Sequence, residues 1–297
     1  MLAAARIMQA ASRGLLGEKE ARGLAQPLDV DPNRTGMIGP EFTPITTTLG
    51  EPASKRTATN PDFAAALVRL IAALDLPYGT PIIVVLSGSF VGANVAAIAA
   101  AEALGLKPIV IASLSASMWG ATDPQFNWLD MAAMLRERGV IRARTTAAVL
   151  GGEGAVGGGM DPAGVAALRA SAARDGVPVI ERRPFAALID ALMDQVNATH
   201  GEGARPGLVV NVGGALIGLG SCRESYELPP GLIRGAVPCT AGLPGLALRL
   251  AADGLPILHV LNMRRLAVEL GLPFDPVPLP TPGDSLAVYG SARRSPP

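Results

Sequence analysis

The sequence predicts an α/β fold: a mostly parallel sheet with helices on both faces, Rossmann-like, in one body or two lobes. Three observations predict it. Apolar runs at 81–86, 108–113, 208–212 and 255–261 each lead into Ser, Gly or Asn. Helical segments separate these runs, and strands alternating with helices require parallel crossovers that cover both sheet faces. A chain of 297 residues is long enough to bury a full core of this kind.

Taken in order, residues 2–25 have the apolar spacing of an amphipathic helix, with Leu2, Ile7, Met8, Ala11, Leu15 and Leu16 on one side. Residues 27–58 lack periodicity and carry Pro32, Gly36, Gly39, Pro40, Pro44, Gly50 and Pro52. An irregular run of that length is often functional. Asn60-Pro61-Asp62 is a helix start, with a capping Asn, Pro in the first turn and then an acid. Strand 81–86, helix 91–104 and strand 108–113 follow, with Gly105 ending the helix. Next come a helix at 125–138, a strand at 146–150, a Gly-rich loop at 151–159 and a helix from Asp161-Pro162 to Asp175-Gly176. A strand at 177–180 and a helix at 184–199 lead to a polar loop at 201–206. Strand 208–212 precedes a loop-like stretch at 215–240, then helix 243–253, strand 255–261, helix 262–270 and an extended Pro-rich tail. The expected division is 1–59 (helix and irregular segment), 60–285 (α/β domain, with a sub-lobe boundary near 201–206) and 286–297 (disordered tail). No internal repeat of fixed period is present.

Composition narrows the function. Lys plus Arg and Asp plus Glu are 25 each, so no global field attracts nucleic acid or an anionic membrane. Aromatics are 4%, too few for base-stacking platforms. Two cysteines and two histidines exclude a zinc scaffold and a His-rich metal centre. Cys222 and Cys239 read as two inert thiols, with a bridge as the alternative. No run of 18 apolar residues spans a membrane. Residues 1–12, with Arg6 and no cleavage pattern, read as a helix already in progress and not as a signal peptide.

In a parallel α/β sheet, ligands bind beyond the C-terminal ends of the strands. Four loops have that position: Ser87-Gly88-Ser89, 115–123, 151–159 and 211–214. Their glycines allow close backbone approach, and their hydroxyls and N–H groups supply hydrogen bonds. Ser87 and Ser89 are candidates for a nucleophile or an anion site, or they cap the following helix. The nucleophile-elbow pattern is absent, because Gly88-Ser-Phe-Val-Gly92 has the wrong spacing. His259, at the end of a strand, is a candidate general base with Asp123 or Asp130 orienting it. The alternative is a hydrogen-bonded histidine in a buried strand. Asp123 is a catalytic acid or an Asx-turn cap. His200 lies in a polar loop and reads as surface.

Lys55 is one of only three lysines, and Lys55-Arg56-Thr57 sets adjacent positive charges near Thr46–Thr48. That combination suits carboxylate or phosphate recognition. The Gly-rich loop is not a dinucleotide fingerprint, and no P-loop occurs. No cofactor and no metal are expected.

Several short segments, in one order over about residues 2–283, resemble the poly-γ-glutamate system protein family. They are Asp31-Pro-Asn-Arg-Thr-Gly-Met-Ile-Gly39, Thr46–Thr48, Lys55-Arg-Thr57 with Asn60-Pro61, and Leu86-Ser-Gly-Ser-Phe90 with Asn94. They continue through Ser117-Met-Trp-Gly-Ala-Thr122, Trp128-Leu-Asp130, Gly151-Gly152, Asn211-Val-Gly-Gly214 and Gly254-Leu-Pro-Ile-Leu-His259. Where the family pattern has Pro followed by a larger residue, this chain has Val91-Gly92.

The resemblance implies an accessory protein of poly-γ-glutamate synthesis or export, and no catalytic assignment comes with it. The expected partners are the polymer or its synthase subunits, or a second copy of the chain, and not nucleic acid. Members resemble one another in an N-terminal hydrophobic anchor. The chain begins inside the helix after it, so envelope association through an anchor absent from this chain is expected, the chain being soluble as given. The candidate ligand-binding residues are Lys55, Arg56, Gly88, Asn94, Ser117, Thr122, Gly151, Gly152, Asn211, Gly213 and Gly214.

Three functions follow as expectations. The first is binding of an anionic carboxylate ligand or of the synthase. The second is a serine-dependent hydrolase or transferase of a γ-glutamyl amide. There Ser87 or Ser89 attacks, His259 acts as base and the 88–92 backbone holds the oxyanion. The third is a scaffold whose loops contact partner subunits. The enzyme requires a serine hydroxyl within hydrogen-bond reach of His259.

Overall fold

Alternation along the strands sets the two faces of the sheet. In the run 81–87, Ile82, Val84 and Leu86 join one apolar cluster, while Ile83 and Val85 join another. Ser87 follows Val85 in the same parity, so the second face turns polar at its C-terminal edge. The computed structural model describes residues 1–200 and 204–290.

Its strands are β1 (Thr46–Thr48), β2 (Pro81–Ser87), β3 (Lys107–Ser113), β4 (Ala116–Ser117), β5 (Thr145–Val149), β6 (Val209–Val212), β7 (Gly231–Ile233) and β8 (Ile257–Val260). Its helices are α1 (Leu2–Ala21), α2 (Pro52–Thr57), α3 (Pro61–Ala72), α4 (Val91–Ala103), α5 (Trp128–Glu137), α6 (Pro162–Arg174), α7 (Phe185–His200), α8 (Leu216–Leu219), α9 (Leu246–Ala252), α10 (Met263–Leu270) and α11 (Leu286–Tyr289).

The main sheet has six strands in the order β5-β3-β2-β6-β8-β7, parallel except for β7 at the edge. This is a Rossmann-like arrangement: from β2 the chain steps outward to β3 and β5, and from β6 it fills the other half by way of the edge strand β7 and then β8, which lies between them. The switch point therefore falls between β2 and β6, where ligands bind in such sheets. β2 and β6 are directly paired, Ile83 with Val209 and Val85 with Asn211, so the sheet is continuous across the 201–206 connection. Of that connection, 201–203 lie outside the described residues.

Helix α4 is buried on all sides over Val91–Glu102, which explains its run of alanines: it is wedged between the sheet and helices α1 and α3. Gly92 sits where a Cβ would stand 2.5 Å from the Ala58 carbonyl oxygen. A residue larger than glycine does not fit that contact. Helix α1 buries Ala4, Ala5, Met8, Ala11, Leu15 and Lys19. This stripe is narrower than the predicted one: Leu2 is exposed and Ile7 and Leu16 lie at its borders, because small residues allow approach to the alanine-rich layer.

Other expectations need correction. The strand predicted at 177–180 is a single bridge, Ala148 to Val179, because Pro178 has no N–H to extend a ladder. The stretch 215–240 is not simply a loop: it holds α8, a 3₁₀ turn (Arg223–Glu227) and the edge strand β7. Cys222 and Cys239 are not free thiols but form a disulfide, with Cα atoms 5.2 Å apart. The irregular 27–58 segment contains β1 and α2. The tail beyond Pro273 is anchored. Asp275 takes a bidentate pair from Arg56 at 2.7 and 2.6 Å. The Asp62 carboxylate accepts from the Gly283 and Ser285 N–H groups and the Tyr289 hydroxyl. Of the predicted disordered tail, 286–289 form α11 and 291–297 lie outside the described residues. No helix among the described residues is long and apolar enough to cross a membrane.

Candidate functional site

A cavity of about 1190 Å³ opens at the C-terminal edge of the sheet, over the β2–β6 switch point. Its wall takes Ser87 and Ser89 from the β2 end, Ser113, Ser115 and Ser117 from the β3 end, and the Gly-rich loop after β5. Thr46–Thr48, Lys55, His259 and Arg264 complete much of the remainder. Three of the four predicted loops thus contribute lining side chains or backbone, and the fourth contributes Gly214.

Strands β1 and β4 explain how the irregular segment reaches this place. They pair in parallel, Thr46 with Ala116 and Thr48 with Ser117, and so dock the chain before α2 against the loop after β3. One short turn later, α2 delivers Lys55 to the cavity wall. The Lys55 side chain is 4% exposed. Its Nζ donates to the Ser89 carbonyl oxygen at 2.5 Å and to Ser117 Oγ at 2.5 Å. It also lies 4.0 Å from the centre of the Phe90 ring. No carboxylate stands within ion-pair distance of Lys55 among the described residues. Burial without a counter-charge lowers its pKa from the ordinary 10.5 to about 7.

The serines are ordered differently from one another. Ser87 Oγ donates to Ser89 Oγ at 3.0 Å and accepts from the Ser89 N–H at 3.2 Å. Ser89 Oγ accepts the Ser117 N–H at 3.0 Å. These two hydroxyls therefore hold the turn and position Ser117. Ser117 presents its own hydroxyl to Lys55. Ser115 Oγ receives the Gly152 N–H at 3.1 Å and so fixes the Gly-rich loop. Gly151 has φ +83°, and a Cβ there would stand 2.0 Å from Ser115 Oγ, so only glycine brings the loop this close.

His259 lines the cavity but not in the predicted role. Register places it opposite Asn211 on β6, which in turn pairs with β2, so it lies two strand spacings, about 10 Å, from β2. Asn211 Nδ2 donates to His259 Nδ1 at 3.2 Å and to the Gly213 carbonyl at 3.0 Å. With Nδ1 accepting, the neutral ring carries its proton on Nε2, the wrong tautomer for a base acting through that nitrogen. Burial lowers its pKa to about 4. No hydrogen bond joins His259 to Ser87 or Ser89 among the described residues.

Asp123 lies outside the cavity lining and caps its own turn, Oδ1 accepting from the Gln125 N–H at 2.8 Å. Asp130 closes the capping box of α5 and pairs with Arg174. Neither stands behind the imidazole.

The remaining candidates divide between lining and support. Gly151, Gly152 and Gly214 line the cavity. Asn94 Nδ2 donates to the Ser87 carbonyl at 2.8 Å and fastens the β2–α4 turn from beneath. Gly88 spans to β3 and beyond, its N–H donating to Ser113 O at 2.9 Å and its carbonyl accepting from Ala121 at 2.7 Å. Gly213 lies under Ser87, where a Cβ would stand 3.1 Å from the Ser87 Cβ. Thr122 donates to the Pro40 carbonyl at 2.6 Å, which ties down the N-terminal segment. Arg56 pairs with Asp275 and does not line the cavity.

Glu153 and Arg264 are lining charges that the sequence reading passed over. Arg264 follows the C-terminal end of β8, so the same edge rule that selected Ser87 would have selected it. It stacks on Phe274 at 3.8 Å and lies 3.7 Å from Glu51. No group of three or more acidic, His or Cys residues suited to a metal occurs among the described residues. Compared with known proteins, the chain matches no family model, no curated protein and no solved structure.

Proposed function

We propose that this protein is an accessory protein of poly-γ-glutamate synthesis or export that binds a carboxylate-bearing stretch of the polymer in the switch-point cavity. The observation that carries this reading is Lys55, a buried amine at the cavity wall with no carboxylate within ion-pair distance among the described residues, which a ligand carboxylate would hold in its charged form. A ligand carboxylate would supply the missing counter-charge and hydrogen bonds. The surrounding hydroxyls and glycine backbone are of the kind that bind anions at such edges. At about 1190 Å³ the cavity exceeds the roughly 300–1,000 Å³ of small-ligand sites, as a polymer segment requires.

The resemblance in the segments around Lys55, Ser87–Ser89, Ser117 and Gly151 points to the same polymer, and those segments converge here. The Cys222–Cys239 disulfide supports assembly in an oxidising compartment and hence the envelope association that the resemblance implies. The test is calorimetric titration of the chain with oligo-γ-glutamate, with α-linked oligoglutamate as comparison. Saturable binding that prefers the γ-linked oligomer and fails in Lys55→Met supports the reading; equal binding by Lys55→Met overturns it.

A further inference from the structure

We propose that Ser117 and Lys55 form a nucleophile–base dyad that cleaves an amide by acyl transfer. The proposal rests on how the three candidate serines are bonded. The Ser87 and Ser89 hydroxyls are engaged with each other and with two backbone N–H groups, those of Ser89 and Ser117. The Ser117 hydroxyl is the one whose partner is an amine, with Oγ 2.5 Å from Nζ, and both residues line the cavity. The Ser117 backbone is pinned on both sides, by its N–H to Ser89 Oγ and by β4 pairing with β1. The nucleophile is thus held on ordered backbone and does not swing on a loop.

The partners of Nζ fit a neutral amine. In the structure Nζ donates to both the Ser89 carbonyl and Ser117 Oγ; on losing a proton the amine keeps a donor for the carbonyl and turns its lone pair to accept the Ser117 O–H across the same short contact. A lysine removed from water is a known means of obtaining a neutral amine base, and serine–lysine pairs are a recurring variant of serine catalysis. With its pKa near 7, Lys55 is partly unprotonated at neutral pH, where a general base works best. The charged groups around it are few. On its own helix Arg56 is neutralised by Asp275. From α10 and the start of α2, Arg264 and Glu51 face each other. Glu153 and His259 also line the cavity, and neither is bonded to Nζ.

The step balances within these groups and water. Ser117 Oγ bonds to the carbonyl carbon while its proton passes to Nζ. The C–N bond then breaks, and the leaving amine takes that proton from Lys55. A water molecule, giving its proton to Nζ, attacks the resulting ester, and Ser117 Oγ leaves with the proton returned to it. The products are a carboxylic acid and an amine. The choice of a γ-glutamyl amide as substrate rests on the polymer-binding reading; the dyad itself does not.

The test uses a fluorophosphonate, a general covalent probe of activated serines, on the whole chain, with the labelled residue located by peptide mass mapping. The expected result is one label, on Ser117, absent from Ser117→Ala and formed at least tenfold more slowly in Lys55→Met. Lys55→Arg is the second variant, since a guanidinium keeps the charge but cannot accept a proton. It is expected to label as slowly as Lys55→Met, and thermal melts check that each variant is folded. Labelling of the wild type should accelerate as pH rises through about 7. No label, a label on Ser87 or Ser89, or wild-type labelling of Lys55→Arg would overturn the dyad. Titration of Ser117→Ala with oligo-γ-glutamate separates the two readings, because binding can persist where labelling fails and the reverse.

Discussion

Lys19 and Lys55 are both withdrawn from water, at 1% and 4% exposure, yet the protein holds them in opposite ways. Lys19 projects from α1 to the Ile38 carbonyl at 2.8 Å, with Asp31 and Asp123 near enough to raise its pKa against the effect of burial. It closes the 31–39 segment over the helix and does not line the switch-point cavity. Lys55 has a carbonyl, a hydroxyl and an aromatic ring for company, and no acid within ion-pair distance among the described residues. Burial lowers Lys19 to about 8 and Lys55 to about 7. The difference shows what a counter-charge does: one lysine is a structural plug, and the other remains electrically incomplete until a ligand or a proton transfer completes it.

The comparison breaks most visibly in stability. Lys19→Met should cost about 3 kcal/mol in urea unfolding, because a buried carbonyl and two acids lose their cation. Lys55→Met should stay within about 1 kcal/mol of wild type, since removing an unpaired buried charge offsets the hydrogen bonds lost. If the two variants exchange these outcomes, the assignment of roles is wrong.

Binding should run the other way. Lys55→Met is expected to weaken oligo-γ-glutamate roughly 10–100-fold, the value of a hydrogen bond to a charged group, and Lys19→Met to leave it unchanged. Parallel titration of both variants reads this directly.

Unfolding against pH sharpens the comparison further. Below about pH 7 the folded and unfolded states both carry the Lys55 proton, and the destabilisation from burying it is complete. As pH rises from 7 toward 10.5 the unfolded chain holds more protons, so stability increases, at most about 1.4 kcal/mol per pH unit for one group. Lys55→Met should remove the part of this rise that begins near 7 and leave the part from Lys19 that begins near 8.

The smallest effect belongs to His259. Its pKa is lowered to about 4, so stability should climb between pH 4 and 6.5 and be flat with respect to this group above that. His259→Asn should flatten the climb; an unchanged acid limb would mean that other groups set it.

Much of the fold was legible because the strands announce themselves. Pro81-Ile-Ile-Val-Val-Leu and Ile109-Val-Ile-Ala are buried on both faces, and such strands are continuously apolar. Strand β7 and helix α8 were not legible, since a three-residue edge strand and one helical turn owe their existence to neighbours and not to their own composition. The loops of the site were legible from strand polarity. The central pair was not: Lys55 and Ser117 are 62 residues apart, and what joins them is the pairing of β1 with β4, five residues in all. His259 was placed on the correct edge, but the order of strands, which no local pattern encodes, put Asn211 beside it.

The clasp between the early helices and the late tail has a consequence for synthesis. Arg56 meets Asp275 across 219 residues, and the Asp62 carboxylate waits for Gly283, Ser285 and Tyr289. On the ribosome, α2 and the first turn of α3 emerge long before these partners exist. The helix that carries Lys55 is therefore translated well before the last of its fastenings, the one to Asp275. A nascent chain halted before residue 275 would hold Lys55 through the β1–β4 pair, Ser89 and Ser117 alone, without the Arg56–Asp275 clasp behind it.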